Sequence, residues 1–458
     1  MSFYHISLNI QYDSFMGTIS SSNSNVRSLV FGIGPLVNLY LTGVGTLATF
    51  TTTTNLTMIA GFDCYVTNSS ATTKSLTYNT VFTNSNNVYL GGSGSGSITF
   101  NSGTTGNPYV YVTNTGGAAI SFETGSINSL IWQSGTNAVW SNIGSRTLTI
   151  GADLIMASSM GTPTLTPSII FTMNGSPISG FNAVFVTANK TFVTGTITFN
   201  DLGASYIMQV TGNINCNSSI TITAADFGIY INGNINQSLV ANTLTLTAGK
   251  LVIQNGSNVT CGIFSSNNSN ARTLSMGWGN WTVTGTGTAW NITTSTNMSL
   301  DAQTSRIVFT NTTTSGVTFA GGGLTYYTVE FSRGASTATI THSSVNTVIT
   351  NFIDVTSTAA HNISFSGTGT YFFHRFIVKG NAGQLITLIR GSINNAVISK
   401  LGRGIVSNCD YLNLVSTGFS ASPTNTWYAG DNSTGSASGW IITAPPSSQS
   451  LLGAGGVG

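Results

Sequence analysis

Few side chains in this sequence could do chemistry. The eleven acids are Asp13, Asp63, Glu123, Asp153, Asp201, Asp226, Asp301, Glu330, Asp354, Asp410 and Asp431, and no two lie within three residues of each other. Cleavage of a glycosidic bond needs two carboxylates flanking it. Only stacking of one stretch of chain on the next could supply that pair, as with Asp201 and Asp226. Aspartates set among Asn, Ser and Gly more commonly cap turns. The four histidines are His5, His342, His361 and His374. His361 falls between Asp354 and Ser364, the residue types of a nucleophilic triad, but no nucleophile elbow surrounds that serine. The cysteines, Cys64, Cys216, Cys261 and Cys409, form no Cys-x-x-Cys pair and sit near no histidine at metal spacing. They read as buried free thiols. Gly91–Gly96 is glycine-rich but has neither the lysine nor the following helix of a phosphate loop. These residues imply no catalytic group, no cofactor and no metal site.

The elements that would position such groups are strands. Only 5% of the 458 residues are charged, against roughly 25% in ordinary soluble domains. Helix formers such as Glu, Lys and Arg are scarce, and no apolar stripe of helical period is sustained. Short alternating runs recur instead: Arg146–Ile150, Ser219–Thr223, Thr243–Thr247, Arg306–Thr310 and Ala338–Thr341. Each places β-branched or apolar residues on one face and Thr or Ser on the other, bounded by Gly, Asn or Ser turns. The 40% hydrophobic content is enough to bury a core and argues against disorder.

The alternation also repeats over longer distances. Ser20–Gly32 matches Ser265–Gly277, Leu41–Gly45 matches Val283–Gly287, and Leu76–Val81 echoes Leu324–Val329. A weaker middle copy contains Ser145–Gly151. The anchoring arginines Arg27, Arg146 and Arg272 are 119 and 126 residues apart along the chain. The reading is three β-repeat units at 1–130, 131–255 and 256–380, then a capping and assembly element at 381–446 and a flexible Gly-rich tail at 447–458. Many short strands in repeated units predict an all-β fold. The expected form is an elongated β-solenoid of the right-handed parallel β-helix type, with serial β-sandwich repeats as the alternative.

Partners are constrained by charge. The net charge is +2 and the thirteen basic residues are spread without a run, so no nucleic-acid interface is expected. No apolar stretch is long enough to span a membrane as a helix, and the first residues do not read as a secretory signal. The gathered aromatics Trp427, Tyr428 and Trp440 are candidate binding or assembly residues. They suit either a sugar-stacking platform or an apolar plug over an open solenoid end. Trp278, Trp281 and Trp290 read as interior or subunit contacts.

Several segments resemble a family of tailed-phage virion structural proteins. They are Leu251–Gly262, Trp281–Trp290, Thr318–Tyr326, Gly380–Leu388, Asp410–Leu414, Trp427-Tyr-Ala-Gly430 and Gly439-Trp-Ile441. The resemblance covers about residues 243–446 and reaches the first half only through the internal repeat. It implies a non-enzymatic virion component, a tail fibre, tailspike or head decoration, made in the host cytoplasm. Its implied partners are other virion proteins, copies of itself (a trimer being favoured) and a host-surface glycan. A glycan- or receptor-binding spike, or one that degrades polysaccharide, is the alternative function.

Overall fold

The computed structural model describes the strands between Phe15 and Ile231 with a few adjoining residues, and residues 238–443 apart from 255, 392–394, 407–408 and 416. The described residues contain no helix, so none is present to cross a membrane. The chain groups into two compact units, 1–233 with 237–241, and 234–236 with 242–458.

Each unit is a β-solenoid of stacked parallel strands. In the first, one ladder runs from Pro35–Gly43 through Asp63–Asn68, Asn87–Gly92, Tyr109–Asn114 and Ser129–Trp132 to Leu154–Ile155. Val88, Val110, Leu130 and Leu154 follow one another along it and are buried. Tyr89 and Tyr111, one residue on, stack at 4.9 Å between ring centroids. Alternation along each strand and identity of register between strands thus sort apolar and polar positions into columns.

The second unit shows the same rule in more detail. A long ladder stacks Asn258–Ser265, Asn280–Val283, Arg306–Phe309, Thr325–Phe331, Val348–Asp354, Gly369–Val378 and Ala396–Val406. Its inward column reads Val259, Trp281, Ile307, Val329, Phe352, Phe376. All six are buried, and the rings of Phe352 and Phe376 stack at 5.2 Å. Successive members are 22 to 26 residues apart, slightly more than a coil of about 20 residues expected for such repeats. A return ladder stacks Val317–Ala320, Ile340–His342, His361–Phe365, Ile386–Arg390, Leu412–Leu414 and Thr434–Gly435. Between the two lie rings from both, Phe319, Phe331, Phe365 and Phe373 among them.

Every strand pairing between described residues is parallel, which excludes serial sandwiches built of antiparallel hairpins. The ladders continue through the segment 381–446 as far as Gly435, with one register shift between Phe373 and Arg375 where Ala396–Val406 pairs. Trp427–Ala429 and Trp440–Ile442 form a separate two-stranded pair. Arg27 and Arg146, two of the three repeat anchors, and the tail 447–458 lie outside the described residues.

The corners explain the abundance of Ser, Thr and Asn. Thr294 N donates to Asn267 Oδ1 (2.8 Å), Asn297 Nδ2 to Ser269 O (2.9 Å) and Asn311 Nδ2 to Thr284 O (2.7 Å). Each bond joins one coil to its neighbour, a rise of about 4.8 Å that a short amide spans without a long flexible chain. Asn297 and Asn346 also adopt left-handed backbone angles there, which asparagine tolerates.

Phe352→Ala should cost about 3–5 kcal/mol, because the void is ringed by aromatics that cannot collapse onto it. Urea denaturation followed by intrinsic fluorescence would show it, and an unchanged midpoint would contradict the inward column.

Candidate functional site

The sequence-level triad residues are partly brought together. Asp354 continues the inward side of its strand and is wholly buried. His361, at the start of the neighbouring strand, places Nε2 2.8 Å from Asp354 Oδ2 and Nδ1 3.0 Å from Ala359 O. Both partners can only accept, so both ring nitrogens carry protons and the ring is an imidazolium. Burial alone would lower its pKa; the hydrogen bond and charge of Asp354 outweigh this, aided by the Ala359 carbonyl and opposed by Arg333, and the net shift is upward. An imidazolium with both protons engaged has no lone pair to take a proton from a hydroxyl. The serine bonded here is Ser357, whose hydroxyl donates to Asp354 Oδ1 at 2.6 Å, and Ser364 sits on the return ladder beside Thr341. This geometry is a structural ion pair.

Arg333, also buried, completes the cluster. Its Nε donates to Asn311 O (2.9 Å), Nη1 to Ala338 O (3.1 Å) and Nη2 to Ser315 O (2.8 Å). Burial lowers its pKa and the charge of Asp354 works against that. Arg272, the third repeat anchor, does the same at a different corner: Nη1 donates to Asn268 Oδ1 and Nη2 to Thr294 O (3.0 Å). A guanidinium presents five donors in a fixed fork, so one buried arginine satisfies several corner carbonyls. Arg306 and Glu330 pair more openly, Nε to Oε2 at 2.9 Å.

The candidate aromatics divide. Trp427 is fully buried, with Nε1 donating to Ser422 O (2.8 Å) and Phe376 against its ring. Lys400 Nζ lies 5.7 Å from the same ring. Trp440 stands opposite Trp427 in register, 5.3 Å between ring centroids, and is 9% exposed. Neither indole offers a face to solvent. Tyr428, one residue from Trp427, is half-buried. Trp281 and Trp290 are interior, whereas Trp278 is 58% exposed. The Gly277-Trp-Gly279 setting was the available sign: a large ring between two glycines belongs to a tight turn, where it has no room to fold inward.

Cys216, Cys261 and Cys409 are buried, and burial pushes Cys261 and Cys409 up to about 12, so these two remain thiols. Asp410 caps a turn, accepting from Tyr411 N (2.9 Å) and Asn432 Nδ2 (2.9 Å). Among the described residues no three His, Cys, Asp or Glu side chains gather as a metal site. Asp201 and Asp226 lie outside the described residues. The chain matches no protein-family model, no curated protein and no solved structure.

The two interior histidines oppose each other in pH. His361 has a raised folded pKa, so its contribution is full below about pH 6.5, the unfolded value, and fades as pH rises through the folded one. Asp354→Asn should cost about 3–5 kcal/mol at pH 6 and less at pH 9. His342 is buried with neither ring nitrogen bonded, and burial holds its pKa down to about 3. It withdraws stability as pH falls from about 6.5 toward that value, because the unfolded chain takes up the proton first. His342→Phe should therefore raise the melting temperature, most of all near pH 4; an unaltered acid limb would refute the assignment.

Proposed function

We propose that this chain is a structural component of a tailed-phage particle, a tail fibre, tailspike or head decoration, that works through assembly and surface contact without catalysis. The observation that supports it most is the continuous parallel ladder of the second unit, whose buried ionisable groups are spent on structural contacts, Arg272 and Arg333 bonding neighbouring coils and Asp354 pairing with His361 around one corner. The likeness of Trp427-Tyr-Ala-Gly430 and Gly439-Trp-Ile441 to the phage family supports the particle context. A surface of short polar side chains with few charges suits packing against other virion proteins and against further copies of the chain, a trimer being the favoured arrangement.

Mass spectrometry of gradient-purified particles should find the chain in stoichiometric amounts. Its presence only in the soluble lysate would sink the proposal. Incubated with capsular or lipopolysaccharide glycans, the purified chain should release no reducing ends; release abolished by Asp201→Asn or Asp226→Asn would favour the polysaccharide-degrading alternative.

A further inference from the structure

We propose that the corner carrying Trp278 is a binding site for an uncharged oligosaccharide. This stands apart from the particle reading, since it concerns what one surface recognises. Trp278 is the most exposed of the exposed large apolar residues, and it is held in place. Its pyrrole ring is seated on Gly256 of the preceding coil, where a Cβ would overlap Nε1 and Cδ1. Gly256 has φ of 70° and Gly277 of 67°, and Gly279 presses on the Ser257 carbonyl. Three glycines therefore bring two turns close enough to lay the indole on backbone, with the rest of the ring in solvent. An aromatic face fixed in this way stacks on the C–H face of a sugar ring with little ordering cost.

Polar groups stand beside it. The next coil follows 26 residues later on both sides of the turn, Arg272 beside Met298 and Asn280 beside Arg306. Gln303 and Thr304 thus stand one coil above Gly277 and Trp278, and both are exposed. Where the lower coil uses glycine, Gln303 takes a φ of 44° despite its long side chain. Such strain persists when the surroundings enforce it and is concentrated at ligand sites. Its amide Nε2 donates to Asp301 Oδ2 (3.1 Å) and Ser275 Oγ (3.3 Å), and Ser275 Oγ donates to Asp301 Oδ2 (3.1 Å). The result is an orientated carboxylate and amide whose free oxygen lone pairs, on Asp301 and on Gln303 Oε1, can accept from sugar hydroxyls.

One coil further, Tyr327, 37% exposed, immediately precedes Thr328, which pairs with Arg306. Two rises separate it from Trp278, about 10 Å, farther than one pyranose ring reaches, so the ligand is an oligomer. Charge selects its class. Arg306 is taken by Glu330, leaving Asp301 as a net negative charge that disfavours acidic sugars and phosphates.

The test is a glycan array of neutral and acidic oligosaccharides probed with the full chain, followed by calorimetric titration with unbranched neutral hexo-oligosaccharides of increasing length. The expected result is binding to neutral oligomers that strengthens with length and falls about ten-fold or more in Trp278→Ala. Gly256→Ala, which dislodges the indole while keeping it, should lose a similar factor, and Tyr327→Ala should weaken only the longer oligomers. Melting curves of the variants check folding, and particle incorporation should be normal. No binding to neutral oligomers, preference for acidic ones, or full affinity in a folded Trp278→Ala would overturn the proposal, and normal incorporation in that case would leave the particle reading intact.

Discussion

Parallel stacking of coils is the constraint from which the rest of this structure follows. When each strand hydrogen-bonds to the equivalent strand one coil away, every side chain meets its counterpart at about 4.8 Å. A charge placed in such a column faces whatever the neighbouring coils put there, and like charges at that distance repel. The low charge of the chain is what a stack of this kind tolerates. Where charges occur inside, they are paired around a corner or bonded to carbonyls of their own and neighbouring coils, as His361 with Asp354 and Arg333 with Asn311, Ser315 and Ala338.

The same spacing determines what else is used. Apolar columns become aromatic stacks, as at Phe352 and Phe376 or Phe309 and Phe331, 4.8 Å apart. Corners cannot be closed by the ladder, so their carbonyls and amides need side-chain partners. Asparagine and threonine reach the next coil, and buried arginines gather several carbonyls at once. A residue that breaks the column therefore matters. His342 sits among Phe319, Phe365 and Tyr371 with no hydrogen bond for either nitrogen. Removing it should stabilise the fold, whereas removing Asp354 should damage it, though both are buried and polar.

Much of the architecture could be read from residue order. Alternation of period two marked the runs Arg306–Thr310 and Ala338–Thr341, where the strands are Arg306–Phe309 and Ile340–His342, and scarce helix formers argued against helices. The choice between solenoid and sandwich could not be made in this way, because one strand's alternation is the same whether its neighbour runs parallel or antiparallel. Pairing direction resolved it. The distance along the chain between Asp354 and His361 suggested chemistry, yet the sign of the outcome lay in the hydrogen-bond partners. Ala359 O supplies the second acceptor that makes the ring an imidazolium, and no spacing rule reveals a backbone carbonyl's aim.

By itself the sequence determined that the protein is β throughout, that its surface is polar and nearly uncharged, and that its chemistry-bearing groups are few. Those properties depend on composition and local period, which no tertiary contact can alter. Tertiary structure alone decided which large side chains face water. Trp278, Trp281 and Trp290 are alike by type and close in sequence, yet two are sealed inside and one lies on a corner. The reason is geometric: the glycines at 256, 277 and 279 draw one coil's turn onto the next, and that contact exists only once the coils have stacked.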